Sequence, residues 1–546
     1  MKRQTLLIAS LVALGCPSDD TAGTADTTDG STTDAGSTTN EDSTTGNVET
    51  TEDSTSIGSV DSSSGSTTDD EECDGEQLVC DGDCIDPLTD AEFCGASGDC
   101  EGDNAGTACE RGAECIDGDC VDGAQGWGTE EIIDAGGSSF YPRIAMNALG
   151  QAIVVFEEEG PPVSNGLANR FDPDASSWSG AEPFELDDMG DVSDPEVAID
   201  PAGNAVAVWA RNDGPNPSQA RAARWDEAMQ TWSDAAQLAA HTSELDTGVL
   251  IDADGNATAV YRQQGGATST AFARRFEAGG KGWDAPTDLG SIFPADLPQL
   301  AVDPDGNVTT AWTRIAGGPT LATRRWDAAT SSWADEALMD MAASADARTA
   351  RLTADAQGNV FAVWQSFGDD HIMANRWDAD DESWGTSEII SDPTQTIAAF
   401  PEVATDAAGN AIAVWHHRES SNKDPAHVYA SRWDAGSETW SAAEPVDGEE
   451  VATAAPDVAM DPAGNALVVW IARDAAGALN VGGARWDSAT GAWDDPETIE
   501  DTPGDVYVNT ELDPGPQVAM DDAGRGLVVW SQDVDGTLRV LANRYE

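Results

Sequence analysis

The residues that could do chemistry in this chain are few. Histidine occurs five times, and three of the five fall close to a tyrosine, at His416, His417, His427 and Tyr429. Imidazole and phenol groups can bind ligands and transfer protons. No His-Glu-x-x-His or Gly-x-Ser-x-Gly pattern accompanies them, so no catalytic residue and no metal ligand is assigned. The four residues are predicted to share one loop, where solvated side chains are favoured and a ligand-binding group is the alternative.

Acidic residues are the opposite case, because they are too many to single out. Asp and Glu number 101 against 26 Lys and Arg, a formal net charge of −75. Such a chain repels phosphate backbones, which argues against nucleic-acid binding. Two runs, at 252–256 and 303–307, have the Asp-x-Asp-Gly-Asn pattern that begins a calcium loop, but the downstream bidentate Glu is missing. Hairpin turns are favoured there, with Ca²⁺ as the alternative, and no other cofactor is expected.

The nine cysteines are unevenly placed. Cys16 stands alone, and no cysteine occurs after residue 120. The segment 73–120 has few large apolar residues, no His and no Cys-x-x-Cys pair, which favours disulfides over zinc. It is predicted to be a small disulfide-rich module of open pairing, because eight cysteines allow 105 pairings. Those cysteines are Cys73, Cys80, Cys84, Cys94, Cys100, Cys109, Cys115 and Cys120.

The N-terminus has the features of an export signal. A basic start is followed by an apolar run of only nine residues, Leu6 to Leu14, which is too short to span a bilayer. The sequence Ala13-Leu14-Gly15-Cys16 resembles the bacterial lipobox, which implies a signal peptide at 1–15 and a lipid on Cys16. Ordinary secretion is the alternative. Residues 16–72, rich in Ser, Thr and Asp, are predicted to be a disordered tether.

The rest of the chain repeats one phrase eight times. Its glycines are 51 to 60 residues apart, and an aromatic residue follows each of them by six positions. A later Arg-aromatic-acid block is followed, in seven copies, by a Trp eight residues after the Arg. The glycines are Gly150, Gly203, Gly255, Gly306, Gly358, Gly409, Gly464 and Gly524.

This pattern predicts four strands per repeat. Asp-Pro-Ala-Gly suits a tight hairpin loop, and the flanking runs, such as Ala205–Trp209, are apolar on both faces. Repeated units of about 50 residues with four strands are typical of β-propeller blades. The last repeat lacks its fourth strand, and a matching one, Trp127–Ile133, precedes the first. We therefore predict an all-β, eight-bladed propeller over 124–546, closed by that N-terminal strand, with seven blades as the alternative.

The hairpin phrase Pro-x-Val-Ala-x-Asp-x-x-Gly-Asn, ending in Trp, resembles NHL-type and related bacterial propeller repeats. The cysteine spacing resembles modules of surface lipoproteins of Gram-negative bacteria. These resemblances imply a protein at the outer membrane or cell surface, attached to the membrane only through its lipid. The expected role is a monomeric scaffold that binds a protein or glycan on the face of variable loops. A glycan-active hydrolase or lyase with acids in the central channel is the alternative.

Overall fold

The computed structural model describes most of residues 126–546 and four short strands before them. The undescribed stretches within 126–546 are 187–189, 213–217, 243–246, 266–267, 294–296, 316–318, 340–346, 368–369, 393–396, 419–425, 449–450, 453–455, 475, 501 and 508–514. The predicted signal peptide, Cys16, the tether, Cys73, Cys94, Cys100 and Cys109 lie outside the described residues. Within the described part there is no helix, and so none that could cross a bilayer.

Two short hairpins precede the repeats. Leu78–Cys80 pairs with Asp83–Ile85, and Ala113–Ile116 pairs with Asp119–Asp122, both antiparallel. The register of the second hairpin places Cys115 directly opposite Cys120, and Cys80 and Cys84 lie in the first. The disulfides of this segment stay a prediction.

The repeats form eight antiparallel blades, which confirms the eight-bladed propeller. Blades 1 to 4 comprise Ser138–Met146, Ala152–Glu159, Asn165–Asp172, Ser177–Trp178 and Glu182–Pro183; Asp191–Ile199, Ala205–Asn212, Ser218–Asp226, Thr231–Trp232 and Ala236–Thr242; Thr247–Ile251, Ala257–Gly265, Thr268–Phe276 and Thr287–Ile292; Gln299–Val302, Val308–Arg314, Thr320–Asp327, Ser332–Trp333 and Ala337–Leu338. Blades 5 to 8 comprise Ala347–Ala354, Val360–Ser366, His371–Asp378, Ser383–Trp384 and Glu388–Ile389; Ala398–Thr405, Ala411–Arg418, Ala426–Asp434, Thr439–Trp440 and Glu444–Pro445; Asp457–Met460, Ala466–Arg473, Leu479–Asp487, Ala492–Trp493 and Glu497–Thr498; Gln517–Met520, Gly526–Val534, Thr537–Tyr545 and Glu131–Ile132. Val451–Ala452 pairs with strands of both blade 6 and blade 7.

The repeated turn has a clear physical basis, shown by blade 7. Gly464 has φ of 91°, a conformation that favours glycine, and its N–H donates to the carbonyl of Asp461. The Asp461 carboxylate accepts the Asn465 N–H at 2.8 Å and the Asn465 side-chain amide at 2.7 Å. The side chain thereby satisfies polar groups of its own turn. We call the side of the propeller that carries these turns the turn face, and the opposite side, with the connections between second and third strands and between blades, the loop face.

The core lies between neighbouring blades. The second strand of each blade is buried on both sides, and its repeated aromatic residue is at most 1% exposed. Toward the turn face, repeated arginines stack over an aromatic ring of the next blade at 3.7–5.7 Å. These pairs, which support a scaffold role for the arginines, are Arg170–Trp225, Arg224–Phe276, Arg275–Trp326, Arg325–Trp377, Arg432–Trp486 and Arg544–Phe171.

The ring closes as predicted. Glu131–Ile132 pairs with the third strand of blade 8, and Trp127 bridges to Tyr545. The fully buried Asp134 carboxylate accepts the Arg539 guanidinium at 2.7 Å and the Val540 N–H at 2.8 Å. The fourth strand supplied from the N-terminal side therefore removes the open edge that blade 8 would otherwise present.

Candidate functional site

One position in the first strand of each blade lines the central channel. It lies seven residues before the turn glycine and pairs with the residue just before the repeated aromatic of the second strand. First strands of neighbouring blades contact one another all round the ring. We call these eight residues, all half-buried, the channel ring: Arg143, Glu196, Gly248, Gln299, Arg351, Glu402, Asp457 and Gln517.

The first strands of four blades differ from the others in length and in the backbone geometry before the ring residue. In blades 1, 2, 5 and 6 the first strand has eight or nine residues, against four or five in the other blades. In each long strand a β-bulge lies just before the ring residue. Bulges bend a strand and re-aim its side chains. The four bulged blades are the ones that carry Arg or Glu in the ring.

The bulges place further side chains above the ring, toward the loop face. Tyr141, Asp194 and Phe400 occupy bulge positions and have φ of 57°, 49° and 55°. Positive φ is strained for such residues, so the surrounding contacts must hold them there. One such contact is visible, since the buried Glu157 carboxylate accepts the Asp194 N–H at 2.9 Å. Two aromatic residues and an aspartate thus stand in the first strands on the loop-face side of the ring residues.

The charged ring residues bond from one blade to the next. Arg143 donates to Glu196 at 2.8 Å, and Arg351 donates to Glu402 at 2.6 Å. The four side chains keep between 19% and 36% of their surface exposed. The charge of Glu402 also interacts with those of Arg143 and Glu196, which stand on the other side of the ring. The two ion pairs therefore face a common polar space.

Asp457 adds a third carboxyl group beside Glu402. Its carboxylate accepts the Val518 N–H of the next blade at 2.8 Å. Burial, together with the neighbouring charge of Glu402, raises the pKa of Asp457 to about 7. Burial likewise raises the pKa of Glu402, although the guanidinium of Arg351 opposes this. Asp457 can therefore donate as well as accept a hydrogen bond near neutral pH.

The predicted histidine group has a different place from the one expected. His416 and His417 lie in the second strand of blade 6, and His427 and Tyr429 lie in the third, so they are strand residues and not loop residues. The pairing of the second and third strands of blade 6 extends through these residues as far as Arg418 and Ala426, so the hairpin is longer than the repeat suggests. The prediction of a shared loop was wrong.

The structure does bring the four side chains near one another. His417 and Tyr429 have ring centroids 4.8 Å apart, and His427 Nδ1 lies 3.2 Å from the fully buried Asp447 carboxylate. His416 is 5% exposed and packs toward Phe400, with ring centroids 6.3 Å apart. Burial, with the nearby charge of Arg418, lowers the pKa of His416 to about 3. Whether these residues bind a ligand stays a prediction.

The two acidic turns considered for calcium hold their carboxylates close to other donors. Asp252 accepts the N–H groups of Asp254 and Asn256 and lies 3.8 Å from Arg275. Asp303 accepts the equivalent N–H groups and pairs with Arg325. A cation would have to displace these donors. Among the described residues no group of three or more His, Cys, Asp or Glu is arranged to hold a metal ion.

Sequence reasoning missed the channel ring. Its signal was the variable residue after the proline in the phrase Pro-x-Val-Ala, to which the repeat pattern assigned no role. A proline precedes the ring residue in six blades, at Pro142, Pro195, Pro298, Pro401, Pro456 and Pro516. Aligning the eight copies on the turn glycine and reading only that column shows the charged and polar residues together.

Comparisons with known proteins show no family for this chain. No family model matches the chain, and no curated protein matches its sequence. Among solved structures, a polysaccharide lyase described as an ulvan lyase is 11% identical, with 65% of this chain and 94% of that one covered and a TM-score of 0.44. The propeller domain of the Trilobed protease from Pyrococcus furiosus is 10% identical, covering 67% and 98%, with a TM-score of 0.39.

The structure of a lectin is also similar to this chain. The Aleuria aurantia lectin, in complex with Fucalpha1-6GlcNAc, is 16% identical, with 56% of this chain and 97% of the lectin covered and a TM-score of 0.35. At such low identities and scores these matches carry no functional argument for this chain. The resemblance to NHL-type repeats stays a prediction.

Proposed function

We propose that this protein is a lipid-anchored cell-surface protein whose propeller binds a protein or glycan ligand on the loop face, at the mouth of the central channel. The observation that carries the proposal is the channel ring. Blades 1, 2, 5 and 6 depart from the common strand geometry, and each departure brings an arginine or glutamate into the channel.

The fold itself does not require these charges. Blades 3, 4 and 8 carry Gly248, Gln299 and Gln517 at the same position and form equivalent sheets. Taking charged groups out of water costs free energy that a surface location would avoid. Strain and charge concentrated at one end of a channel are typical of a ligand site.

The test is direct binding to arrays of glycans and purified proteins. The full-length protein is expected to bind a defined ligand, and the double variant Arg143→Gln with Arg351→Gln should lose at least about tenfold in affinity, roughly 1.4 kcal/mol. Lys281→Gln, which removes one exposed cation on the turn face, is the matched control and should bind normally. Equal binding by the double variant and the wild type would refute a role for the channel.

The lipid anchor rests on residues 13–16 of the sequence. Cys16→Ser should move the protein from the membrane fraction to the soluble fraction, because a diacyl group supplies the attachment. Unchanged partitioning of the variant would contradict the anchor and would leave the binding proposal intact.

Asp457 beside Glu402 favours a second candidate, a glycan-active hydrolase or lyase. A carboxyl group whose pKa lies near 7, next to a second carboxylate, suits general acid–base catalysis. An enzyme should release products from a glycan panel, and Asp457→Asn should abolish that release while binding persists. Binding without product release would favour the scaffold.

A further inference from the structure

The channel ring has an internal two-fold repeat. In chain order, blades 1 to 4 supply Arg, Glu, Gly and Gln, and blades 5 to 8 supply Arg, Glu, Asp and Gln. In a ring of eight, each residue of the first set stands opposite its counterpart in the second. The two halves differ at one pair only, Gly248 and Asp457. The ring therefore has a carboxyl group at one position and no side chain at the opposite one.

Backbone geometry does not explain the glycine. Gly248 has no positive φ, unlike the turn glycines. A Cβ there would meet a methyl of Val260 at 3.3 Å and the Pro298 carbonyl at 3.9 Å, so a side chain could enter only if the buried Val260 shifted slightly. The glycine leaves the ring without a side chain at the position opposite Asp457.

The charges in the ring are balanced within the ring. Two arginines face two glutamates, and each arginine is already paired with one of them. The remaining carboxyl group, Asp457, is held largely protonated below neutral pH. The ring thus offers no net charge with which to attract an ion, in a chain whose formal charge is −75. A polyanion would be repelled by the whole protein, and a polycation would find both glutamates of the ring already paired with arginines.

The hydrogen-bonding groups of the ring are planar and mixed in kind. Guanidinium groups donate, carboxylates accept, and the amides of Gln299 and Gln517 do both. A hydroxyl group can donate and accept, so neighbouring hydroxyls of a sugar can satisfy such a set, whereas an apolar or singly charged group cannot.

From these observations we infer that the channel ring binds the uncharged, hydroxyl-rich end of a saccharide chain, which sits where Gly248 leaves the ring without a side chain and faces Asp457. The inference rests on the proposed function and specifies its ligand. The saccharide end enters from the loop face, because the bulges of blades 1, 2, 5 and 6 lie on the loop-face side of the ring residues.

The experiment compares three kinds of probe on the full-length protein. The panels are neutral oligosaccharides, oligosaccharides that contain uronic acids, and purified proteins. Neutral oligosaccharides are expected to bind best. Gly248→Asp, which fills the space and adds a charge, should weaken that binding at least tenfold, and Glu402→Gln should weaken it several-fold.

Gly282→Asp is the matched control, because the same substitution in the same blade adds the same charge on the turn face. Gly282 has no positive φ and no neighbouring atom within 4 Å of an added Cβ. This variant should bind like the wild type. Thermal melting of all three variants shows whether each is folded, and Glu402→Gln keeps the test decisive if Gly248→Asp does not fold.

Each outcome separates the inference from the proposed function. Neutral saccharide binding that depends on Gly248 and Glu402 supports both. Binding of a protein or a uronate that the ring variants abolish overturns the saccharide inference and leaves the proposed function standing. Neutral saccharide binding that neither ring variant affects overturns the channel site. No binding in any panel overturns the proposed function itself.

Discussion

The turn face and the channel ring differ in which residues hydrogen-bond to the carboxylates of the first strands. At the turn face, seven of the eight blades place a buried aspartate at the same position, and Asn147 takes it in blade 1. Each of these side chains accepts hydrogen bonds from its own turn. The seven are Asp200, Asp252, Asp303, Asp355, Asp406, Asp461 and Asp521.

The channel ring carries carboxylates in only three blades, and their partners come from other blades. Glu196 and Glu402 accept from arginines of the preceding blade, and Asp457 accepts from the following one. Burial of charge is common to both ends, so burial alone does not mark a site. What distinguishes them is repetition: a group that every blade needs belongs to the scaffold, and one that varies between blades is available for a ligand.

Loss of the closing strand should have the largest effect on stability. Deleting Trp127–Ile133 removes the outer strand of blade 8 together with the almost fully buried Ile133. Burial of Ile133 contributes roughly 1.5–3 kcal/mol, the partly buried Trp127 adds to this, and the deletion also leaves a sheet edge unpaired. Urea unfolding should show a loss of at least that size.

Glu131→Ala is the control for the deletion. The side chain of Glu131 is 44% exposed and lies 3.4 Å from Arg544, so its loss should cost under about 1 kcal/mol. A deletion variant as stable as this point variant would mean that blade 8 does not need its fourth strand.

The next effect contrasts a turn carboxylate with a ring carboxylate. Asp461→Ala leaves the Asn465 N–H and amide without their buried acceptor and should destabilise the protein by about 2–3 kcal/mol, while ligand binding by the folded fraction stays normal. Glu402→Gln keeps an acceptor for Arg351 and should change the free energy of unfolding by under about 1 kcal/mol while weakening binding. The reverse pattern would contradict the division into scaffold and site.

The sequence predicted the scaffold well because the scaffold is what repeats. Constant offsets between Gly464 and Trp470, or between Arg485 and Trp493, reflect turns and strand pairings that each blade must make. The closing strand was predictable for the same reason, as a repeated element in an unexpected place. The bulges were not predictable, since Tyr141 and Phe400 adopt positive φ through contacts made by distant parts of the chain. The ring could be recognised only by comparing the same position in all eight repeats, because its eight residues meet across the channel and not along the sequence.

The histidine group of blade 6 tests whether buried residues near the ring belong to the scaffold or to the site. Folded His416 has a pKa of about 3 against an ordinary value of 6.5. Between these values the unfolded chain holds a proton that the folded chain lacks, so stability is lost as pH falls. From pH 7 to pH 5 the loss should be about 2 kcal/mol.

His416→Phe should remove that loss, and urea unfolding of both proteins at pH 7 and pH 5 measures it. Phenylalanine retains the packing against Phe400 without a titrating group. Parallel pH curves for the two proteins would mean that His416 is accessible to protons in the folded state, which would favour the predicted ligand-binding role of the group over packing.

Asp457 should show the opposite pH dependence, with a smaller size. Its pKa is about 7 in the folded protein and 3.8 in its ordinary range. Between these values the folded chain holds a proton that the unfolded chain has released, so stability falls as pH rises toward 7 and is constant above it. Relative to Asp457→Asn, the wild type should lose about 1–2 kcal/mol between pH 5 and pH 8, less than full burial would give because the residue is partly exposed in the channel.

Asp494→Asn, which alters a carboxylate that is 58% exposed, is the control and should follow the wild type at every pH. Adding Glu402→Gln sharpens the test further, because the charge of Glu402 is one of the two causes that raise the pKa of Asp457. In that background the pH-dependent difference between Asp457 and its Asn variant should shrink. If this pH-dependent difference did not change, the carboxyl groups of Asp457 and Glu402 would not share one space. The ring would then be a set of separate polar contacts, without the common centre that a ligand needs.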